Sequence, residues 1–216
     1  MTSVMWFRRD LRLHDHPALN AAIESAFLDG DGQVVALFNI DPKVFDDAGA
    51  PLQAYQNASL TKLNESLNGN LLIRYGDPKE VLVEIVKASN AKTVHISEDF
   101  EPYGRIRDVE VEKELAKINV KLVRTGSAYA VAPFRVKKDD GTPYRVYTPF
   151  YRSWLKHGWR KPAQKFKKNP PWLMPLPSQE LPKVNIDIEI PPAGEDNALK
   201  QFDKFLNSAI VGYDQN

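Results

Sequence analysis

Seven ionisable side chains fall within nine consecutive positions: Arg8, Arg9, Asp10, Arg12, His14, Asp15 and His16. The short apolar run Val4–Phe7 precedes them, and a helical pattern opens at Pro17. A charged loop that leaves a buried strand and enters a helix is where α/β proteins place ligands. The same charges can also pair with one another in an ordinary loop. His14 and His16 have the spacing of two metal ligands on a strand, but they sit in a loop beside arginines, whose charge opposes a cation, so no metal is expected. A second charged stretch, Glu98–Gly104 (EDFEPYG), follows another apolar run. Asp99, Glu101 and Arg105 facing Arg8 and Asp10 would make either a ligand cage or an ion-pair cluster joining two loops. The residues alone leave both open.

Other chemistries are excluded more firmly. The chain has no cysteine, so disulfides, thiolate metal sites and cysteine nucleophiles are absent. There is no Gly-x-Gly-x-x-Gly, no phosphate-cradling glycine loop with Lys-Ser/Thr and no Gly-x-Ser-x-Gly elbow. A net charge of +1 over 216 residues predicts no particular partner. No apolar run approaches the roughly 18 residues of a membrane span, and the N-terminus lacks a signal-peptide pattern, so a cytoplasmic protein is expected.

The elements that must position these residues alternate. Val4–Phe7 reads as a strand; Asp15 is expected to cap the following helix, with Pro17 in its first turn and Leu19, Ala22, Ile23 and Ala26 at helical spacing. Gly30-Asp31-Gly32 turns the chain into VVALFNI (Val34–Ile40), an apolar run typical of a strand buried on both faces. A helix from Pro51 to Leu67 points Tyr55, Leu60, Leu63 and Leu67 inward, and Leu71–Tyr75 is a third strand. Asp77 caps a helix opened by Pro78; Thr93–Ser97 is a fourth strand, with His95 packed inside the core. A charged helix over about Arg105–Ile118 leads to a fifth strand at Val120–Arg124. Connections of this length require parallel pairing and right-handed crossovers. The fold class is therefore α/β, a doubly wound five-stranded parallel sheet, Rossmann-like, with helices on both faces. In the common order 3-2-1-4-5 the winding reverses between the first and fourth strands. The crevice there would be walled by Phe7–Asp15 and Ser97–Arg105.

The second half differs in composition. Phe134–Lys168 holds 11 Lys/Arg against 2 Asp, a local charge of +9, leaving −8 on the remainder. The same window holds eight aromatic residues, with Tyr151–His157 reading as a helix. Lysines and arginines can meet phosphates while rings stack on bases, but aromatics at helical spacing, such as Tyr151 and Trp154, can also fill a core. Pro162–Pro192 carries eight of the sixteen prolines, including Asn169-Pro170-Pro171, and reads as an extended linker. A last amphipathic helix starts near Gly194. The expected divisions are an α/β domain over 1–132, an aromatic and basic extension over 133–160 packed on it, a linker over 161–193, and the start of a further helical domain over 194–216.

Four stretches resemble the DNA photolyase/cryptochrome family, most of all the bacterial deoxyribodipyrimidine photolyases: WFRRDLRLHDHPAL (Trp6–Leu19), GDP (Gly76–Pro78), EPYGRIRD (Glu101–Asp108) and YRVYTPFYRSW (Tyr144–Trp154). The tail, with Gly194-Glu195, Phe202, Phe205, Ile210 and Tyr213, is similar to family sequence as well. The resemblance implies an N-terminal α/β domain that holds an antenna chromophore, and a helical domain that binds flavin adenine dinucleotide (FAD). In that family the antenna passes excitation to the reduced flavin, which donates an electron to a pyrimidine dimer in damaged DNA; the dimer splits and the electron returns. The lesion is flipped out of the duplex to reach the flavin. By this resemblance Phe7, Arg8, Asp10, Asp99, Glu101 and Arg105 are the antenna-binding residues, and Tyr213 is the one position matching a flavin contact. Gly104 stands where folate-type members carry a Glu, which favours a deazaflavin antenna over methenyltetrahydrofolate. The family's other flavin contacts fall beyond Asn216, so a domain fragment, monomeric and without repair activity of its own, is expected. A cryptochrome photoreceptor without repair activity is the alternative.

Overall fold

The computed structural model describes residues 2–28, 32–164, 166 and 170–213. Most of the turn at Gly30–Gly32 lies outside these residues, as do Asn169 and the last three residues of the chain. Five strands form one sheet: β1 (Ser3–Phe7), β2 (Val34–Ile40), β3 (Leu71–Tyr75), β4 (Thr93–Glu98) and β5 (Lys121–Ser127). Every pairing is parallel, in the expected order β3-β2-β1-β4-β5. The helices are α1 (Pro17–Leu28), α2 (Pro42–Phe45), α3 (Ala50–Ser66), α4 (Pro78–Ser89), α5 (Pro102–Ala116), α6 (Tyr147–His157) and α7 (Glu195–Asn207).

Side chains alternate between the two faces of the sheet. Met5, Phe7, Ala36, Phe38, Leu71 and Ile73 point to one side and pack with Ala18, Ala22, Leu60 and Leu63 of α1 and α3. Val4, Trp6, Val35, Leu37, Val94 and Ile96 point to the other and pack with Leu82, Ile85, Val111 and Leu115 of α4 and α5. All seven residues of β2 are buried, which is why its sequence is nearly continuously apolar rather than alternating.

The helix starts follow local chemistry. Asp77 accepts from Lys79 N at 2.9 Å with Pro78 at the first helical position. The same Asp-Pro signature at Asp41-Pro42 opens the short α2. Asp15 does not cap α1. It adopts a left-handed φ of 46° and turns its carboxylate to Arg160 and to Ala163 N. His16 takes its place: Nδ1 accepts from Leu19 N at 3.1 Å. In α3, Leu60 and Leu63 are buried as expected, whereas Tyr55 is 37% exposed. The first turns of α3 face the cavity described below rather than the sheet.

The proline-rich stretch runs along the sheet as a strap. Val34 N donates to Pro171 O and Leu173 N donates to Val34 O, a single bridge at the start of β2. Further on, Ser178 Oγ accepts from Ile73 N at 2.9 Å, Gln179 Oε1 accepts from Tyr75 N at 2.7 Å, and Gln179 N donates to Ile73 O. These bonds occupy the open edge of β3, which would otherwise offer free backbone groups to another strand. Leu181 and Val184 pack on the first core cluster, and Leu173, Met174 and Leu176 on the second. In contrast, α6 and α7 contain no buried residue. The aromatics expected as possible core at Tyr151 and Trp154 lie outside both clusters.

Candidate functional site

The exit of β1 carries Arg8, Arg9 and Asp10 over the carboxyl ends of the strands. Arg8 turns toward β4: Nη1 donates to Asp108 Oδ1 at 2.5 Å and Nη2 donates to Ser97 O. Asp108 lies on α5 and also accepts from Arg107, Nε at 3.0 Å and Nη2 at 2.8 Å. Arg107 Nη2 reaches Asp99 Oδ2 at 3.3 Å. Both guanidinium groups lie over the Trp6 ring, 5.1 Å and 5.2 Å from its centroid, an arrangement favoured by the negative face of the indole. Burial pulls the Arg8 guanidinium below its usual value, against the raising effect of Asp108. Tyr103, whose hydroxyl donates to Asp41, adds a second ring 5.8 Å from Arg107.

Asp10 is buried and faces His16 Nε2 at 3.1 Å and the Ser97 hydroxyl. His16 Nδ1 accepts a backbone N–H, so the proton of a neutral ring sits on Nε2, toward Asp10. Burial pushes the Asp10 carboxyl up, but the contacts from His16 and Ser97 outweigh it and hold the group well below the usual carboxylate range. The gap expected between Phe7–Asp15 and Ser97–Arg105 is therefore filled by this network, with a residual space of about 20 Å³.

The large cavity, about 800 Å³, opens on the β2 side of the same network. Its floor is Trp6, Arg8, Asp10 and Arg107; Phe38 and Asn39 at the end of β2 and Leu52 and Tyr55 of α3 form the wall. The N-terminal turns of α7 close it with Glu195, Leu199 and Phe202. Glu195 is fixed there by accepting from Leu13 N at 2.8 Å and His14 N at 2.9 Å, and it contacts His14 Nδ1 at 3.0 Å. Gly194 precedes it with φ +97°, and a Cβ at that position would strike Lys62 of α3. Only glycine allows this close crossing.

The expected antenna residues are thus distributed unevenly. Arg8 and Asp10 line the large cavity, and Asp99 lines the small gap. Glu101 is half exposed and pairs with Arg9 at 2.7 Å. Phe7 is fully buried in the core, edge-on to His16, and lines neither space. Arg105 is exposed and lines neither space, whereas Arg107 supplies the guanidinium. Tyr213 is 72% exposed and edge-on to Phe205. Trp6, Arg107 and Asp108 lie inside the quoted motifs, but their roles were missed.

Among the described residues, two buried polar atoms of the cavity lining have no partner, Trp6 Nε1 and Asn39 Oδ1. A donor and an acceptor left unmade in this way are costly unless a ligand meets them. The lining as a whole is aromatic and apolar, with a few convergent charges, and its size suits an organic cofactor. Among the described residues no group of three or more His, Asp or Glu is arranged to hold a metal ion, and no helix is long and apolar enough to cross a membrane.

The sequence model of the DNA photolyase family matches residues 3–171. A deoxyribodipyrimidine photo-lyase of Synechococcus sp. is 30% identical over 98% of this chain and 46% of its own length. The crystal structure of a class III photolyase from Agrobacterium tumefaciens superposes with a TM-score of 0.82 at 27% identity, covering 99% of this chain and 46% of that one. A Synechocystis cryptochrome shares the fold, with a TM-score of 0.76 at 22% identity over 99% of this chain and 48% of that one. The chain spans less than half the length of these relatives. With a family match over most of its length and the family's sheet order, this chain belongs to the DNA photolyase family.

Proposed function

We propose that this chain is the light-harvesting part of a light-dependent DNA repair protein that splits cyclobutane pyrimidine dimers by electron transfer from reduced FAD. The observation that carries the reading is the cavity of about 800 Å³ at the carboxyl ends of the strands, floored by Trp6 and two guanidinium groups and closed by α7. Trp6, Tyr55 and Phe38 would hold a planar chromophore by apolar contact. Arg107 and Arg8 would meet its acidic or carbonyl groups, and the Trp6 indole N–H and Asn39 Oδ1 would gain partners. When bound, the antenna supplies absorption and passes its excitation to the flavin; the residues here orient it and keep water from it. Tyr213, at the far end of the α7 segment, is the proposed FAD contact. Damaged DNA is the proposed substrate of the whole protein, acting as a monomer in the cytoplasm. Repair is preferred to a photoreceptor role because the relative at 30% identity carries the photo-lyase name, whereas the cryptochrome likeness is one of fold.

A deazaflavin is preferred to methenyltetrahydrofolate. A Cβ at Gly104 would fall inside the Asp99 carboxylate, so the Glu of folate-type members does not fit beside Asp99 as placed here. The test is reconstitution of the purified chain with 8-hydroxy-5-deazaflavin or methenyltetrahydrofolate, read by absorbance after gel filtration. Retention of the deazaflavin, weakened about tenfold by Arg107→Ala, is expected for loss of one charged hydrogen-bond donor. Retention of neither chromophore would overturn the reading, and retention of the folate alone would overturn its deazaflavin part.

A further inference from the structure

Helix α7 closes the cavity without being part of the core. None of its residues is buried. Among the described residues, every hydrogen bond and ion pair from α7 to the α/β body is made by one side chain, Glu195, at its first position. Its other side-chain bonds and ring contacts stay inside its own segment: Asn197 Nδ2 donates to Ala193 O at 2.7 Å, and Phe205 lies edge-on to Tyr213. The helix is thus fixed at one end, where Gly194 is pressed against Lys62, and the rest of it has no polar tie to the body.

The face that α7 turns to the cavity is apolar. Leu199 and Phe202, one turn apart, line the cavity, yet they are 45% and 55% exposed. Leu52 and Tyr55 of α3 line it from the other side and are 62% and 37% exposed. Two apolar surfaces therefore face one open volume of about 800 Å³, and neither buries the other. Water against both is unfavourable, and an organic molecule between them removes apolar surface from water on two sides. A helix fixed at one end and apolar underneath has the build of a lid. Leu206, one turn further along the same face, is exposed as well but lies outside the cavity lining.

We infer that α7 is a lid anchored by Glu195, and that Leu199 and Phe202 close on the chromophore after it has entered. The inference rests on the antenna reading for the identity of the occupant, an aromatic cofactor whose other side meets Trp6. It adds that the time the cofactor stays bound is set by a helix outside the core. A ligand that touches α7 only in the closed position shifts the helix toward that position, so α7 is loosely held in the empty protein and protected in the loaded one.

The test loads the 216-residue chain with 8-hydroxy-5-deazaflavin, or with methenyltetrahydrofolate if that is the chromophore retained. Hydrogen–deuterium exchange mass spectrometry should show exchange in α7 slowing severalfold on loading, with β1 and β2 unchanged. Leu199→Ala combined with Phe202→Ala should speed dissociation, followed by chromophore fluorescence on dilution, about tenfold for the lost apolar contact. Association should stay within about twofold, because closure follows entry. Glu195→Ala should speed dissociation likewise and expose the bound chromophore to quenching by iodide. Leu206→Ala should change neither rate. No residue of α7 is buried, so these variants keep the sheet intact, which circular dichroism checks. Equal α7 exchange with and without bound chromophore would overturn the inference. So would a dissociation rate in the Leu199→Ala, Phe202→Ala variant no faster than in Leu206→Ala. Either result leaves the antenna reading standing, since the chromophore is still bound; failure of the unaltered chain to bind either chromophore overturns both.

Discussion

Asp108 holds apart two cations that otherwise face each other over one indole ring. Its carboxylate accepts from both Arg8 and Arg107 and is almost wholly buried. Asp108→Asn should therefore lower stability by about 3 kcal/mol, the usual cost of breaking a buried pair by removing one partner; the urea midpoint is the measurement. None of this was visible in the residue types, although EPYGRIRD was singled out. The reason is helical geometry. Gly104, Asp108, Val111 and Leu115 form the buried stripe of α5, and at 100° per residue Arg105 and Arg107 fall on opposite flanks of it. One flank faces the cavity and the other faces solvent, a choice that depends on how the helix docks.

His95 offers a second test at this scale. It is buried in β4, neither ring nitrogen has a partner among the described residues, and burial pushes its pKa down to about 4. The unfolded chain takes up a proton near pH 6.5 while the folded chain resists it, so stability is complete above pH 6.5 and declines as pH falls toward 4. The loss approaches about 3 kcal/mol if the full difference is expressed. His95→Leu should remove this part of the acid sensitivity, seen as a flatter dependence of melting temperature on pH between 6.5 and 4.

Among elements, α7 and the strap work by borrowed contacts rather than by burial of their own cores. Glu195 fastens α7 through two backbone N–H groups of the β1–α1 loop. Glu195→Ala should raise amide exchange in α7 and at Leu13 and His14 while leaving β1 and β2 protected, as measured by hydrogen–deuterium exchange mass spectrometry. The strap replaces a sixth strand with one serine and one glutamine at the edge of β3. Ser178→Ala combined with Gln179→Ala should leave the β3 edge unsatisfied and increase concentration-dependent association in light scattering. The sequence declared this stretch extended through its prolines. It could not declare which edge the stretch would follow, because side-chain-to-backbone bonds leave no periodic pattern.

For the whole molecule, the sheet was legible because apolar runs, Asp-Pro starts and crossover lengths agree with one another. The cavity was legible only to within one strand: the reversal between β1 and β4 marked the correct end of the sheet, but the ion pairs seal that gap and the open volume lies over β1 and β2. The strap has a consequence for synthesis on the ribosome. Tyr75 and the glutamine that covers it are 104 residues apart. At about 5–20 residues per second, the β3 edge is complete for roughly 5–20 s before its cover is made. During that interval the nascent chain carries an open parallel edge, and chaperone dependence should be greatest for chains arrested between residues 76 and 177.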